Sequence, residues 1–209
     1  MFFPYRDENN ARSLPLFTIG LILLNVAFFY LTAIRQPLSS VIQEYGFTSA
    51  SLLQRPVVVI SSLFLHANLL HLISNMWFLW LFGDNIEDRF GKLSFLTMYI
   101  MAGIAGNFTH ALFSGFESNI PVIGASGAVA GVMGSYLVRF PFARIRCVFL
   151  LIFYPIFFRI HAFWFIGFWM IFEFISAGSA NSGNIAHWAH IGGLIFGLAW
   201  TIGRRDKRR

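Results

Sequence analysis

The sequence predicts an all-α polytopic membrane protein, a six-transmembrane-helix bundle forming one domain over residues 1–209. Three observations predict it. Of the 209 residues, 57% are hydrophobic and only 11% charged, with 26 Phe, whereas soluble domains carry about 25% charge. Six stretches approach the roughly 20 apolar residues that cross a hydrocarbon core of about 30 Å. The basic residues fall on one side of those stretches. The composition excludes a water-soluble globule and a disordered chain, and the single Cys147 excludes a disulfide scaffold. The formal charge of +6 is read as a topology signal. No nucleic-acid partner is expected.

The spans are placed at 14–34, 63–82, 93–113, 122–138, 162–177 and 185–203. No cleavage pattern follows residue 1, so the first span is expected as a retained helix without a further N-terminal domain. The loop at 36–62 is long and of mixed polarity, and is expected as a structured external loop. The spans at 122–138 and 162–177 are short, so both are expected to be buried among other helices. The run Cys147–Phe158 is too short to span, is interrupted by Pro155, and is followed by Arg159 and His161. Residues 143–161 are therefore read as an interfacial segment. Six spans put both termini in the cytoplasm, together with every Lys and Arg except Arg35 and Arg55. That is the expected positive-inside bias.

Polar residues inside a span are costly and mark function by default. The second span holds His66, His71 and Asn75. The fourth holds Ser126 within Gly124-Ala125-Ser126-Gly127-Ala128. The fifth holds Glu173, and the sixth His187 and His190. Counting from inner helix ends at about 1.5 Å per residue places His71 at about 18 Å, Ser126 at about 20 Å and His190 at about 21 Å. His187 comes out near 26 Å by the same rise. His71 and Asn75 are an i, i+4 pair on one helix face. Ala189, Gly193 and Gly197 form a small-residue stripe, matched by Gly127, Gly131 and Gly134. Such stripes let two helices touch backbone to backbone, which would bring Ser126 to His190.

A serine hydroxyl needs a base within about 3 Å to become a nucleophile, and imidazole titrates near neutrality. His71, Asn75 and the Ser126 backbone N–H are candidate donors for an oxyanion. No Asp lies in any span. Glu173 is expected near the outer end of its helix, paired locally or water-exposed, so a Ser–His dyad is the economical reading. Each residue also has a plainer role. A serine amid Gly and Ala commonly packs helices, and a lone membrane histidine can serve haem or a proton path. The four histidines His66, His71, His187 and His190 lack a common depth, so no metal or cofactor is expected. Asp84, Glu87 and Asp88 read as a solvated ion-pair cluster, and Cys147 as an inert packing residue.

The pattern His66-Ala-Asn-Leu-Leu-His71-Leu-Ile-Ser-Asn75-Met resembles the second transmembrane helix of the rhomboid intramembrane serine proteases. Gly124-Ala125-Ser126-Gly127 resembles their nucleophile motif, and Ala189-His190-Ile191-Gly192-Gly193 their catalytic-histidine motif. The resemblance continues through Phe82-Gly83 and Glu87 and covers roughly residues 55–200.

The resemblance implies a six-helix protease with its site sunk below the outer surface. Ser126 is then the nucleophile, His190 the base, and His71 and Asn75 the oxyanion-stabilising pair, with Glu87 structural. One departure is Ala130, where several relatives carry an aromatic residue that stacks on the imidazole. A Phe or Trp from a neighbouring helix is expected to replace it.

The implied substrates are single-pass transmembrane proteins entering from the lipid bilayer between spans two and five. The polar stretch 176–184 is read as a lid. The compact architecture is expected in a bacterial inner membrane. Two other readings stay open: a protein that retains membrane partners without cutting them, and a haem or proton-conducting protein. Oligomeric state is not legible.

Overall fold

The computed structural model describes residues 2–9, 11–35, 37–179 and 185–204. In order along the chain come β1 (Phe2–Asp7), α1 (Leu16–Arg35), α2 (Leu38–Tyr45), α3 (Val58–Ser61), α4 (Leu69–Phe90) and α5 (Lys92–Ser114). They are followed by α6 (Ser126–Arg139), β2 (Arg144–Leu151), β3 (Tyr154–His161), α7 (Ala162–Ala177) and α8 (His187–Ile202). The loop between α1 and α4 is structured, as expected. It holds α2, α3 and two 3₁₀ turns at Ser49–Ser51 and Ser62–Phe64. Residues 180–184 of the expected lid, and the tail Arg205, Lys207, Arg208 and Arg209, lie outside the described residues.

The centre of the fold is α6. Every residue from Gly127 to Tyr136 on it is buried, and it packs most extensively on α8, then on α5 and α4. Small residues make this possible. A Cβ built on Gly193 would lie 1.9 Å from the Gly127 carbonyl oxygen, and one on Gly197 1.9 Å from that of Gly131. No side chain fits there, so the two helices meet backbone to backbone. The Ser135 hydroxyl donates to the Gly197 carbonyl across the same seam, at 3.1 Å.

Four expectations change. First, the protein is not all-α. The segment read as interfacial is an antiparallel hairpin, and β1 joins it to give a sheet of order β1-β2-β3. The reason is local: 144–161 is rich in β-branched and aromatic residues, which suit a pleated surface better than a helix. Pro155 is accommodated because β3 is an edge strand.

Second, the span placed at 63–82 is broken. Residues Val58–Phe64 and Leu69–Phe90 form a helix pair bent by 93°. The Asn68 side chain caps the second half by accepting from the His71 backbone N–H at 2.8 Å, as an N-cap residue does. No single described helix is long and apolar enough to cross a membrane, although the bent pair passes that test together. The polar residues carried by α4, α5, α6 and α8 lower their mean hydropathy.

Third, α7 is peripheral. Only Ala162, Phe165, Ile166 and Glu173 on it are buried, while Trp164, Phe168 and Phe172 are exposed. Its shortness comes from the hairpin that leads into it, not from central burial.

Fourth, Glu87 is not part of a solvated cluster. Its carboxylate is buried and accepts from the Phe17 N–H at 3.0 Å, the Thr18 N–H at 2.8 Å and the Thr18 hydroxyl at 2.9 Å. It thereby satisfies the unpaired donors at the start of α1 and complements the helix dipole. Asp88 accepts from the Ser13 hydroxyl.

The sheet is tied to the helices at one end of the bundle. Trp77 Nε1–H donates to the Pro4 carbonyl at 2.7 Å. Asp7 Oδ2 accepts from Asn85 Nδ2 and from the Tyr136 hydroxyl, each at 2.8 Å. Glu8 pairs with Arg146 at 2.7 Å and Arg159 at 3.0 Å. These last two pairs are solvent-exposed and screened, so they tie the strands together without adding much stability. Cys147 is buried in β2, the packing residue that was expected.

Candidate active site

Ser126 is the first residue of α6. The chain reaches it through Gly124, whose φ of +118° is a conformation that L side chains rarely adopt. Gly124 also needs to be small. A Cβ there would lie 2.7 Å from Nε2 and Cε1 of His71 and 3.6 Å from Asn75 Nδ2. The loop before the serine thus lies directly against the histidine and asparagine of α4. Its backbone is held by the Gly124 N–H, which donates to the Ser62 carbonyl at 2.9 Å.

Opposite stands α8. His190 Nε2 lies 2.8 Å from Ser126 Oγ. Its other ring nitrogen, Nδ1, lies 2.8 Å from Glu173 Oε2 on α7. The same carboxylate oxygen lies 2.7 Å from Nδ1 of His187. Glu173 is 4% exposed. A buried carboxylate beside two Nδ1 atoms accepts from both, which fixes each neutral imidazole with its proton on Nδ1. In His190 that leaves the Nε2 lone pair facing the serine hydroxyl, the tautomer a general base needs. The Trp169 ring lies 5.9 Å from the His190 ring, tilted by 31°. It supplies the aromatic contact expected from a neighbouring helix in place of the missing one at Ala130.

His71 and Asn75 sit on the first turns of α4 beside the serine loop. Asn75 Nδ2 is buried without a hydrogen-bond partner. An unengaged donor of this kind, next to a nucleophile, suits charge that develops only during reaction. The first-turn N–H groups of α6, Ser126's own among them, add backbone donors at a helix N-terminus. His66 lies in the break before α4, and its ring meets that of His71 edge-on at 5.1 Å.

Sequence reasoning missed Glu173 as a partner of the base. The signal was present. Glu173 lies four residues before the end of α7, and His190 three residues after the start of α8. At about 1.5 Å per residue these positions lie about 6 and about 4.5 Å from the adjoining ends of the two helices. The depth count was applied to spans two, four and six and never to span five.

Comparison with known proteins assigns the chain to a family. The Rhomboid domain model matches residues 54–207. Human presenilin-associated rhomboid-like protein, mitochondrial, is 28% identical over 199 residues, covering 88% of this chain and 46% of that protein. Rhomboid protein 1, mitochondrial, of Saccharomyces cerevisiae is 30% identical over 182 residues, covering 80% and 48%. RHOMBOID-like protein 6, mitochondrial, of Arabidopsis thaliana is 38% identical over 79 residues, covering 38% and 25%.

The fold is mostly helical, and the Rhomboid domain match implies a helical membrane protein. The chain belongs to the rhomboid family. It spans about half the length of the human and yeast relatives it matches. These relatives are mitochondrial by name, so they lend no support to the bacterial inner membrane expected from the sequence.

Proposed function

We propose that the protein is an intramembrane serine endopeptidase that cleaves transmembrane segments of single-pass membrane proteins. One observation carries the reading: a continuous hydrogen-bonded chain runs from Ser126 Oγ through His190 to Glu173, with steps of 2.8 and 2.8 Å. Ser126 attacks the scissile carbonyl and His190 Nε2 takes its proton. Glu173 holds the imidazole in the working tautomer and stabilises the imidazolium that forms. His71, Asn75 and the α6 N-terminus receive the oxyanion. His190 returns the proton to the leaving amine, and water then releases the acyl group by the same steps in reverse. Glu173 extends the expected dyad to a triad. No step calls on a metal or cofactor.

Substrate reaches the site from the lipid, past α4 and the peripheral α7. Its helix must unwind locally, because a helical peptide carbonyl is already hydrogen-bonded. Gly and Pro near the cut lower that cost. Small residues at the cut fit a site walled by Gly124 and Ala125. Both termini are placed on the side where the basic residues collect, and the membrane is that of the compartment in which the protein resides.

A serine-reactive fluorophosphonate tests the nucleophile. Wild type and Ser135→Ala are expected to label, and Ser126→Ala to lose labelling. Equal labelling of the two variants would refute the assignment.

A further inference from the structure

His187, His190 and Glu173 form more than a tautomer lock. Nδ1 of His187 and Nδ1 of His190 lie 2.7 and 2.8 Å from the same Glu173 carboxylate oxygen, and one ligand atom from each of the three residues lies within 4.8 Å of the others. The two histidines are i, i+3 on α8, and the carboxylate comes from the facing α7. Two imidazoles and one carboxylate on facing helices are a donor set that borderline divalent metals bind. We propose that this cluster is an inhibitory site for a transition-metal dication of the zinc class.

The fit requires little movement. Zinc bonds to nitrogen and carboxylate oxygen are about 2.0–2.2 Å, so tetrahedral ligand atoms stand about 3.3 Å apart. The two Nδ1···Oε2 contacts are now 2.7 and 2.8 Å, and each must open by roughly half an ångström to reach that spacing. The His190 side chain is 12% exposed and borders the serine, so the approach is through the active site itself.

The consequence for the base follows from proton balance. A neutral imidazole binds a metal through its Nδ1 lone pair only when its single proton sits on Nε2. The metal displaces the Nδ1 protons of His190 and His187 from their bonds to Glu173, and each proton reappears on Nε2 of its own ring. The His190 Nε2–H then donates to Ser126 Oγ and can no longer accept from it. No proton is gained or lost, and the base is held in the wrong tautomer. In the serine-protease template, a wrong-tautomer substitution lowers kcat by about 10⁴-fold. Mg²⁺ and Ca²⁺ favour all-oxygen ligand sets and should not bind.

The inhibition rests on the proteolytic reading, whereas the binding does not, so the two are tested separately. Binding is read from the visible absorption of Co²⁺ titrated into detergent-solubilised full-length Ser126→Ala, which keeps all three ligands. A tetrahedral-type band that disappears in Ser126→Ala/His187→Gln is expected. No band, or a band that persists without His187, overturns the site even if wild type is an active protease.

Inhibition is read in wild type with ZnCl₂ against MgCl₂, with reversal by EDTA. His187→Gln, referred to its own metal-free rate, should need at least about tenfold more Zn²⁺, since lost metal contacts cost on that order. If metal-free wild type cleaves nothing while the cobalt band forms, the metal site stands and the protease reading falls. If wild type cleaves and Zn²⁺ leaves it untouched, inhibition is overturned.

Discussion

Glu173 sits 2.8 Å from the nitrogen of His190 that faces away from the serine, and its role is to choose a tautomer. Glu173→Gln is nearly isosteric but can offer an amide N–H to Nδ1, which would move the imidazole proton to Nε2. The expected result is a fall in kcat of about 10²–10⁴-fold with KM little changed, as for loss of the orienting carboxylate in serine proteases. A KM effect alone would assign Glu173 to substrate binding. His187 shares that carboxylate but does not touch the serine. His187→Ala should therefore retain cleavage, slowed by about tenfold at most for one lost hydrogen bond. Asn75→Ala removes the buried, unengaged donor beside the Ser126 loop. It should lower kcat by about 10²–10³-fold, the usual effect of one oxyanion donor, and single-turnover kinetics would separate that from a change in binding.

Between elements, the contact that fixes the site is the α6–α8 seam. Ser126 and His190 are 64 positions apart in sequence, and they meet because Gly127 and Gly131 lie against Gly193 and Gly197. Gly197→Ala puts a methyl 1.9 Å from the Gly131 carbonyl, so the helices must part. The expected cost is about 1–3 kcal/mol from overpacking, seen as a lower Tm in detergent, together with reduced cleavage as His190 draws away from Ser126. Gly203→Ala, with open space around the new methyl, is the control and should do neither.

This seam was legible in the sequence, because four-residue spacing of small residues has few other uses in an apolar helix. So were Ser126, His190 and His71, whose depths agreed before any contact was known, and Asn75, on the same helix face as His71. Two things were missed. The hairpin 144–161 read as a hydrophobic run because residues 148–158 lack the alternation that marks a half-buried strand. Glu173 was set aside because a carboxylate near a helix end is ordinarily solvated, and only the packing of α7 against α8 buries it.

Across the whole molecule, the N-terminal strand is linked to the helices that carry the site. Asp7 of β1 bonds to Asn85 near the end of α4 and to Tyr136 near the end of α6. Burial is the largest influence on its carboxyl and raises the pKa from 3.8 to about 7. The Tyr136 hydroxyl and Arg6 oppose the rise, and Asp84 adds to it. Between about pH 4 and 7 the folded protein keeps a proton that the unfolded chain has lost. This group's stabilisation is therefore complete below about pH 4 and is lost as pH rises through 7.

Asp7→Asn keeps an oxygen acceptor for both partners and removes the titration. Its Tm should vary less than that of wild type between pH 5 and 8, and exceed it at pH 8. Parallel profiles for the two proteins would exclude Asp7 as the titrating group. The sheet, the seam and the triad together describe a site whose reacting groups come from separate helices and meet only when the bundle is packed.

The most direct test of that account is cleavage of a generic single-pass transmembrane substrate by purified protein in liposomes. Wild type should be compared with Ser126→Ala, His190→Ala and His187→Ala. The account predicts cleavage by wild type and His187→Ala and none by the other two. Undiminished cleavage by Ser126→Ala or His190→Ala would contradict it, as would an inert wild type that no serine-reactive probe labels.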